Sequence, residues 1–324
     1  MTHGPIALVM NPAATKAGRT LRAEVVHALG PLGLVSAETT RGPGDARRLA
    51  REAAGAGALV VVTLGGDGTA ADVAGALAGG PVAMAPLPGG NANVFARALG
   101  WPNHLGRALE ALKAALASGE VREARLGRVS GDDGLDRVFA INTGVGIDAA
   151  TVEWIEARPR TKHRLRHAGF AAGTAIAAAR AGRAPRLRVS GEGVEPVEGA
   201  MAVLVASGTP YTYLGRRPLD LVPGAAFDGG LAWIALTRMR PHELAHIGWR
   251  ALRGRDLPVR EGGALAGGPA PHGIVIGSDL PAAVQADGEP LGRHREVRVT
   301  EGPLLRVVDP RGGAGLKSGG GAPT

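Results

Sequence analysis

The chain contains no cysteine, which removes disulfide scaffolds, thiol nucleophiles and cysteine-based zinc sites and leaves a reducing, cytoplasmic setting as the default expectation. Aromatic residues are sparse, with four Phe, two Tyr and four Trp in 324 residues. That is too few for the base-stacking platforms of single-strand nucleic-acid binders, so no specific nucleic-acid partner is expected. Lysine is nearly missing as well: all but Lys16, Lys113, Lys162 and Lys317 of the 37 cationic side chains are arginine. No apolar run approaches the ~20 residues that cross a bilayer; the least polar longer stretch, 168–179, is bounded by His167 and Arg180. No cationic segment precedes the apolar run at 6–10, which therefore reads as a first strand and not as a leader. What is abundant is glycine, at 52 residues, and positive charge, at a formal +8. Such a surface attracts phosphates, nucleotides and anionic lipid headgroups. The length and a hydrophobic content of 45% suit two globular domains.

Two textures divide the chain. From Pro5 to about Arg125, apolar runs (6–10, 34–36, 58–64, 82–87) alternate with helical patterns near 18–29, 44–54, 69–78, 91–98 and 104–118. Continuous Val/Leu/Ala strands separated by helices predict a doubly wound, mostly parallel sheet covered on both faces. Beyond Gly127, short strand candidates at 137–142, 186–190, 200–206, 231–236, 273–277, 283–286 and 296–299 are separated by Gly/Pro/Asp turns, with helices near 148–180 and 241–253. This half predicts an antiparallel, β-sandwich-like domain. The expected organisation is thus an α/β domain over 1–125, a β-rich domain over 126–299, a strand at 304–308 returning to the first domain, and a flexible tail over 311–324, whose composition cannot bury an apolar face.

The strand ALVVVTL runs directly into Gly65-Gly66-Asp67-Gly68-Thr69 and then into a helix. This places small residues and a helix N-terminus at the carboxyl edge of a parallel sheet, where ligands bind. Glycine lets backbone N–H groups approach an anion, the helix end adds partial positive charge, and Asp67 stands beside them as a carboxylate. A capped strand-to-helix turn would use the same residues, but five of them after a buried strand point to a polyphosphate. A second strand, VAMAPL, ends in Pro88-Gly89-Gly90-Asn91-Ala92-Asn93, and the first ends in Asn11-Pro12-Ala13-Ala14-Thr15. No GxxxxGK[ST] occurs, so a nucleotide site here is not a P-loop.

These motifs resemble the diacylglycerol kinase family, which includes soluble bacterial lipid kinases and the sphingosine and ceramide kinases. The resemblance rests on Asn11-Pro12, Thr40 with Gly44-Asp45-Ala46, Gly65 to Thr69, and Pro88 to Asn93 followed by Phe95-Ala96-Arg97. It continues through Gly144-Val145-Gly146-Ile147-Asp148-Ala149, Phe227-Asp228-Gly229 and Asp287-Gly288-Glu289. It implies an NAD-kinase/diacylglycerol-kinase-like fold and an ATP site between the domains, lined by Asn11, Pro12, Ala13, Ala14, Thr15, Thr40, Gly65, Gly66, Asp67, Gly68, Thr69, Ala70, Ala71, Asn91 and Asn93. It also implies that the turn Asp287 to Glu289 meets the γ-phosphate, one of its carboxylates being the general base, with Asp67 and the Asp287 turn ligating Mg²⁺. A structural magnesium maps to Ala225, Asp228 and Gly230. Phosphoryl transfer needs in-line positioning, oxygen-ligated Mg²⁺ and a carboxylate for the hydroxyl, and these residue types supply all three. Taken alone, Asp287-Gly288-Glu289 would read as a hairpin turn.

The expected activity is transfer of the γ-phosphate of Mg-ATP to a lipid hydroxyl, with diacylglycerol the leading acceptor. Expected partners are a lipid substrate at the inner membrane surface and anionic headgroups bound through an Arg-rich face, either 158–166 or Arg238, Arg240, Arg250, Arg253 and Arg255; homodimerisation stays open. Rival readings are a sphingoid-lipid or NAD-kinase-like enzyme and a catalytically weak nucleotide- or lipid-binding member of the fold. His242-Glu243-Leu244-Ala245-His246 is a literal zinc-peptidase signature, but its face continues into Arg250 and Arg253, which would repel Zn²⁺. Gly144 to Ala149 matches a G-x-G-x-x-A dinucleotide fingerprint, without the second strand and acid that fingerprint requires.

Overall fold

A computed structural model describes residues 4–12, 18–157 and 185–311. Strands β1 (Ile6–Met10), β2 (Leu34–Thr39), β3 (Val60–Gly65) and β4 (Ala83–Pro88) pair in parallel in the order β2-β1-β3-β4. Helices α1 (Gly18–Leu29), α2 (Asp45–Gly55), α3 (Asp67–Leu77), α4 (Val94–Ala98) and α5 (Leu105–Ser118) connect and cover them. Coverage on both faces explains the sequence pattern: every residue of β1 and β4 is buried, so neither strand alternates. The edge strand β2 carries Ser36 and Glu38 and is only half-buried. The chain order reverses between β1 and β3, and their carboxyl ends therefore open a crevice at the topological switch point.

The second half comprises β5 (Val121–Gly131), β6 (Asp136–Phe139), β7 (Asn142–Gly146), α6 (Ile147–Glu156), β8 (Leu187–Gly191), β9 (Val194–Ala200) and β10 (Ala202–Ala206). A small hairpin of β11 (Thr212–Leu214) and β12 (Arg217–Leu219) follows, then β13 (Ala232–Leu236), α7 (Pro241–Leu252), β14 (Leu265–Pro269), β15 (Ile274–Ala286) and β16 (Glu289–Val308). All strand pairs in this half are antiparallel.

Two long strands fold this sheet. The register of β15 shifts between Gly277 and Ala282, so its first part pairs with β8 and its last part with β7. Bulges bend strands, and here the bend divides the sheet into two leaves around Val189, Val203, Trp233, Ile276 and Val299. Strand β16 runs antiparallel to β15 and β5, then meets β4 in parallel at Val307↔Met84. One continuous sheet therefore passes through both halves.

Several expectations are corrected here. The candidates at 273–277 and 283–286 form one strand, and those at 296–299 and 304–308 form another. The candidate at 137–142 is two strands, broken at Ala140 and Ile141. Strands β5, β9, β11, β12 and β14 were not expected. The first of these alternates Arg and Glu with small apolar residues, a pattern that mimics a linker until one face is covered. The helix expected over 148–180 is described only as α6; the rest of it, the basic stretch 158–166 and the tail beyond Arg311 lie outside the described residues. No described helix is long and apolar enough to cross a membrane.

Candidate active site

The two glycine loops at the ends of β3 and β4 lie directly against each other. Gly89 N–H donates to the Gly65 carbonyl at 2.9 Å. A Cβ on Gly89 would come within 2.8 Å of Gly65 N, and one on Gly90 within 2.6 Å of Gly66 Cα. Glycine is thus required at these positions for the loops to stack, a role distinct from the anion approach expected of them; Gly68, by contrast, has open space where a side chain would be. A Cβ on Gly65 would also strike the Thr69 side chain. Thr69 Oγ1 in turn accepts from Asn11 Nδ2 at 3.1 Å, tying the end of β1 to the first turn of α3. Thr40 joins the same edge, its N–H donating to the Met10 carbonyl at 2.8 Å.

Asp67 is the first residue of α3. Its Oδ1 accepts from Phe95 N–H at 3.2 Å, and the N–H groups of Val94 and Asn93 also stabilise its charge. A carboxylate from one loop therefore caps the helix that follows the other, at the end where negative charge is favoured. Burial pushes the Asp67 carboxyl above its ordinary value against these hydrogen bonds. Asn93, with left-handed backbone at φ 47°, is buried and committed to its own loop. Its Oδ1 accepts from Gly90 N–H at 2.8 Å, and its Nδ2 donates to the Gly90 carbonyl and to Asn103 Oδ1. Ala70 faces the core, whereas Asn91 and Gly68 are exposed at the crevice. Pro12 closes β1; Ala13, Ala14 and Thr15 lie outside the described residues.

The second half delivers its carboxylate through the break between β6 and β7. Leaving the ladder frees the N–H groups there, and Asp287 takes them: Oδ2 accepts from Ala140 at 2.5 Å, and Oδ1 from Ile141 at 2.8 Å and Asn142 at 3.1 Å. The Asp287 N–H donates back to the Asn142 carbonyl at 2.8 Å, and its backbone is left-handed at φ 48°. Burial raises its carboxyl to about 6, the three N–H bonds oppose that shift, and the charge of Asp67 adds to it. The charge of Asp67 thus reaches the Asp287 carboxyl, so the two acids, one from each half, lie near one another.

Glu289, two residues on, is exposed and bound to Arg137 at 2.5 Å. Arg137 also reaches Asp72 at 3.2 Å, and Asp72 pairs with Arg47 at 3.0 Å. This chain of charges runs from α2 through α3 and β6 to the start of β16, spanning the two halves. Behind the turn, Gln285 Oε1 accepts from Gly288 N–H at 2.8 Å while its Nε2 donates to Asn142 Oδ1 and Asp148 Oδ2. Tyr211 donates to Asp148 Oδ1 at 3.0 Å, and burial holds both groups above their ordinary values. On the opposite wall Arg97 stacks on the Tyr213 ring at 3.2 Å and donates to the Gly215 carbonyl. Arg137, Gln285 and Tyr211 carried no motif signal; strand pairing between distant segments brings them here.

An oxygen-only pair such as Asp67 and Asp287 fits a hard divalent cation, which would relieve the burial that raises both carboxyls. Ala225, Asp228 and Gly230 share one tight turn, where Gly229 N–H donates to the Ala226 carbonyl at 3.0 Å and Gly230 has φ 91°. One carboxylate and nearby main-chain oxygens are again a hard-cation set, although Asp228 also faces the charge of Arg122.

The rival motifs do not form sites. Glu243 lies 3.6 Å from Arg238, and His246 stacks against Trp249 on an exposed face, so the HELAH helix lacks a free acid beside paired imidazoles. Gly146 is glycine because a Cβ would meet the Met201 carbonyl at 2.4 Å. Its strand β7 lies antiparallel between β10 and β15, which excludes a dinucleotide βαβ unit.

Comparison with known proteins agrees with this geometry. Residues 5–129 match the diacylglycerol kinase catalytic domain. Over 90 residues the chain is 47% identical to a Pseudomonas aeruginosa protein named "Probable lipid kinase YegS-like", covering 27% of this chain and 28% of that protein. A like-named protein of Pseudomonas savastanoi pv. phaseolicola is 44% identical over the same extent. The match thus spans little more than a quarter of the length of these curated relatives. Across most of the chain the likeness is one of fold. A diacylglycerol kinase from Bacillus anthracis str. Sterne superposes with a TM-score of 0.66 at 19% identity, covering 94% of this chain and 97% of that one. An NAD kinase from Archaeoglobus fulgidus in complex with ATP superposes with a TM-score of 0.51 at 15% identity, covering 94% and 93%.

Proposed function

We propose that the chain is a kinase that transfers the γ-phosphate of Mg-ATP to the hydroxyl of a lipid, diacylglycerol being the leading acceptor. The observation that carries this reading is the crevice itself, where stacked glycine loops meet an acidic turn pinned by three backbone N–H groups.

The N-terminus of α3 and the loop N–H groups bind the phosphates. Asn11, Thr40 and Asn91 line the nucleotide side. Asp287 has its oxygens engaged by Ala140, Ile141 and Asn142, and it fixes the turn and contributes charge. Glu289 is exposed and, among the described residues, pairs with Arg137 alone; it is the carboxylate assigned to take the proton. The acceptor oxygen attacks Pγ as the bond from Pγ to the β,γ-bridging oxygen breaks; ADP leaves, and the hydroxyl proton passes to Glu289 Oε. Asp67 and Asp287 would hold magnesium with the nucleotide, where its charge would offset that of the phosphates. The turn of Ala225, Asp228 and Gly230 would hold a second, structural magnesium. The Arg-rich face serves anionic headgroups at the membrane surface.

Incubation with labelled ATP, magnesium and a panel of diacylglycerol, sphingoid base, ceramide and phosphatidylglycerol tests the reading. Label in phosphatidic acid is expected; label in no lipid would reject it, and label only in another lipid would correct the acceptor.

A further inference from the structure

We propose that Asp132, Asp133 and His294 form a second metal site, separate from the kinase crevice, that takes a first-row divalent ion such as Zn²⁺ or Mn²⁺. The residues come from the tip of the β5–β6 hairpin and from β16, and one ligand atom from each lies within 4.8 Å of the others.

The argument turns on the histidine. Its side chain is only 6% exposed, unusual for a surface-strand imidazole beside two exposed acids. Nε2 lies 3.0 Å from the Leu291 carbonyl. A carbonyl only accepts, so Nε2 carries a proton and Nδ1 is the ring nitrogen left to face the two acids. This nitrogen is buried and makes no hydrogen bond, although Asp133 Oδ1 stands 2.7 Å away. The oxygen is near but out of line with the ring nitrogen, so a simple imidazolium–carboxylate hydrogen bond does not account for the contact. Nitrogen and carboxylate at this separation call for a shared positive charge, and a cation set beside them, unlike a proton, would also reach Asp132.

A cation there satisfies the whole set. The imidazole is oriented from behind by a backbone carbonyl, as metal-bound histidines commonly are. One nitrogen and two carboxylates suit a borderline ion with open positions for water, whereas Mg²⁺ has little use for the nitrogen. Gly131 makes room, since a Cβ there would lie 3.2 Å from His294 Nδ1. The bound ion would staple the hairpin to β16. The outgoing strand of that hairpin carries Arg137 and leads to the N–H groups that hold Asp287, so the staple would steady the acidic turn from outside the crevice.

The test uses the full chain carrying His242→Ala and His246→Ala, so that the exposed i, i+4 histidine pair contributes nothing, stripped with chelator and titrated calorimetrically with Zn²⁺, Mn²⁺ and Mg²⁺. One equivalent of Zn²⁺ or Mn²⁺ is expected, with affinity at least tenfold above that for Mg²⁺ at the same site. Adding His294→Ala, or Asp133→Asn at an exposed position that leaves packing intact, should weaken binding at least tenfold, and binding should slow proteolysis of the hairpin. Absence of binding, or binding unchanged by both substitutions, overturns the proposal. So does an imidazole NMR spectrum showing His294 as a doubly protonated ring insensitive to Zn²⁺.

Discussion

The two halves of this molecule solve the same problem, burying a sheet, by opposite means. In the first, each strand is followed by the helix that covers it, so β1, β3 and β4 find their neighbours within a few tens of residues. In the second, two long strands gather partners from far along the chain: β16 meets β5 at Val297↔Gly131 and β4 at Val307↔Met84. The lesson is that the nucleotide side of the crevice is built from local chain and the acidic side from long-range pairing. Perturbations should therefore act differently on the two.

The sharpest test of the acidic side is Asp287→Asn. The amide cannot accept all three N–H bonds from residues 140–142, and its charge is gone. Lipid phosphorylation is expected to fall about a thousandfold, with the thermal unfolding midpoint lowered by only a few degrees. Loss of the entire fold would instead show that the turn belongs to the core.

Acid should reproduce part of that loss. With the Asp287 carboxyl at about 6, kcat/KM should drop about tenfold per pH unit below that value, a fall absent if another group controls the reaction. Stability runs the other way. Folding raises this carboxyl from 3.8, so its protonated form favours the native state; that contribution is full below about 4 and is lost as pH rises through about 6. Denaturant titration of the wild type and Asp287→Asn across this range measures the difference.

On the local side, Gly90→Ala drives a methyl into Gly66 Cα and must part the stacked loops. The expected cost is about 1–3 kcal/mol, accompanied by weaker nucleotide binding by calorimetry. Gly68→Ala, which meets nothing, should be tolerated and so isolates the steric effect. Least affected should be Arg128→Ala. Its pair with Asp136 is bidentate but half-exposed on both sides, and its removal should change stability by about 0.5 kcal/mol or less.

The same division decides what could be read in advance. The parallel strands, the glycine loops and the acidic turn were legible because each is written in contiguous residues: a Val-rich run, small residues after it, an Asp-Gly pair. The second meaning of Gly89 and Gly90, that each must pass the other loop's backbone, was not legible, since a glycine that admits an anion and one that admits a neighbouring chain look alike. Asp67 was legible as an acid at a helix start but not as the cap of a different helix. Arg137 and Gln285 were invisible, because their partners lie 152 and 137 residues away in sequence. The break between β6 and β7 was hidden for a physical reason: Phe139, Ala140 and Ile141 are all buried, so hydropathy continues where the hydrogen-bond ladder stops.

A single strand, β16, starts at Glu289 and ends at Val308, one residue past the pair that Val307 makes with Met84 of β4. It behaves as a stiff lever laid across the crevice. The jaws of the crevice cannot open freely, because the acidic turn and the central sheet are ends of the same rod. The rod has one soft joint, the slip in register between Glu301 and Leu304, where Gly302 rests on the Gly127 backbone. Any movement of the acidic turn relative to β4 would have to pass through that joint.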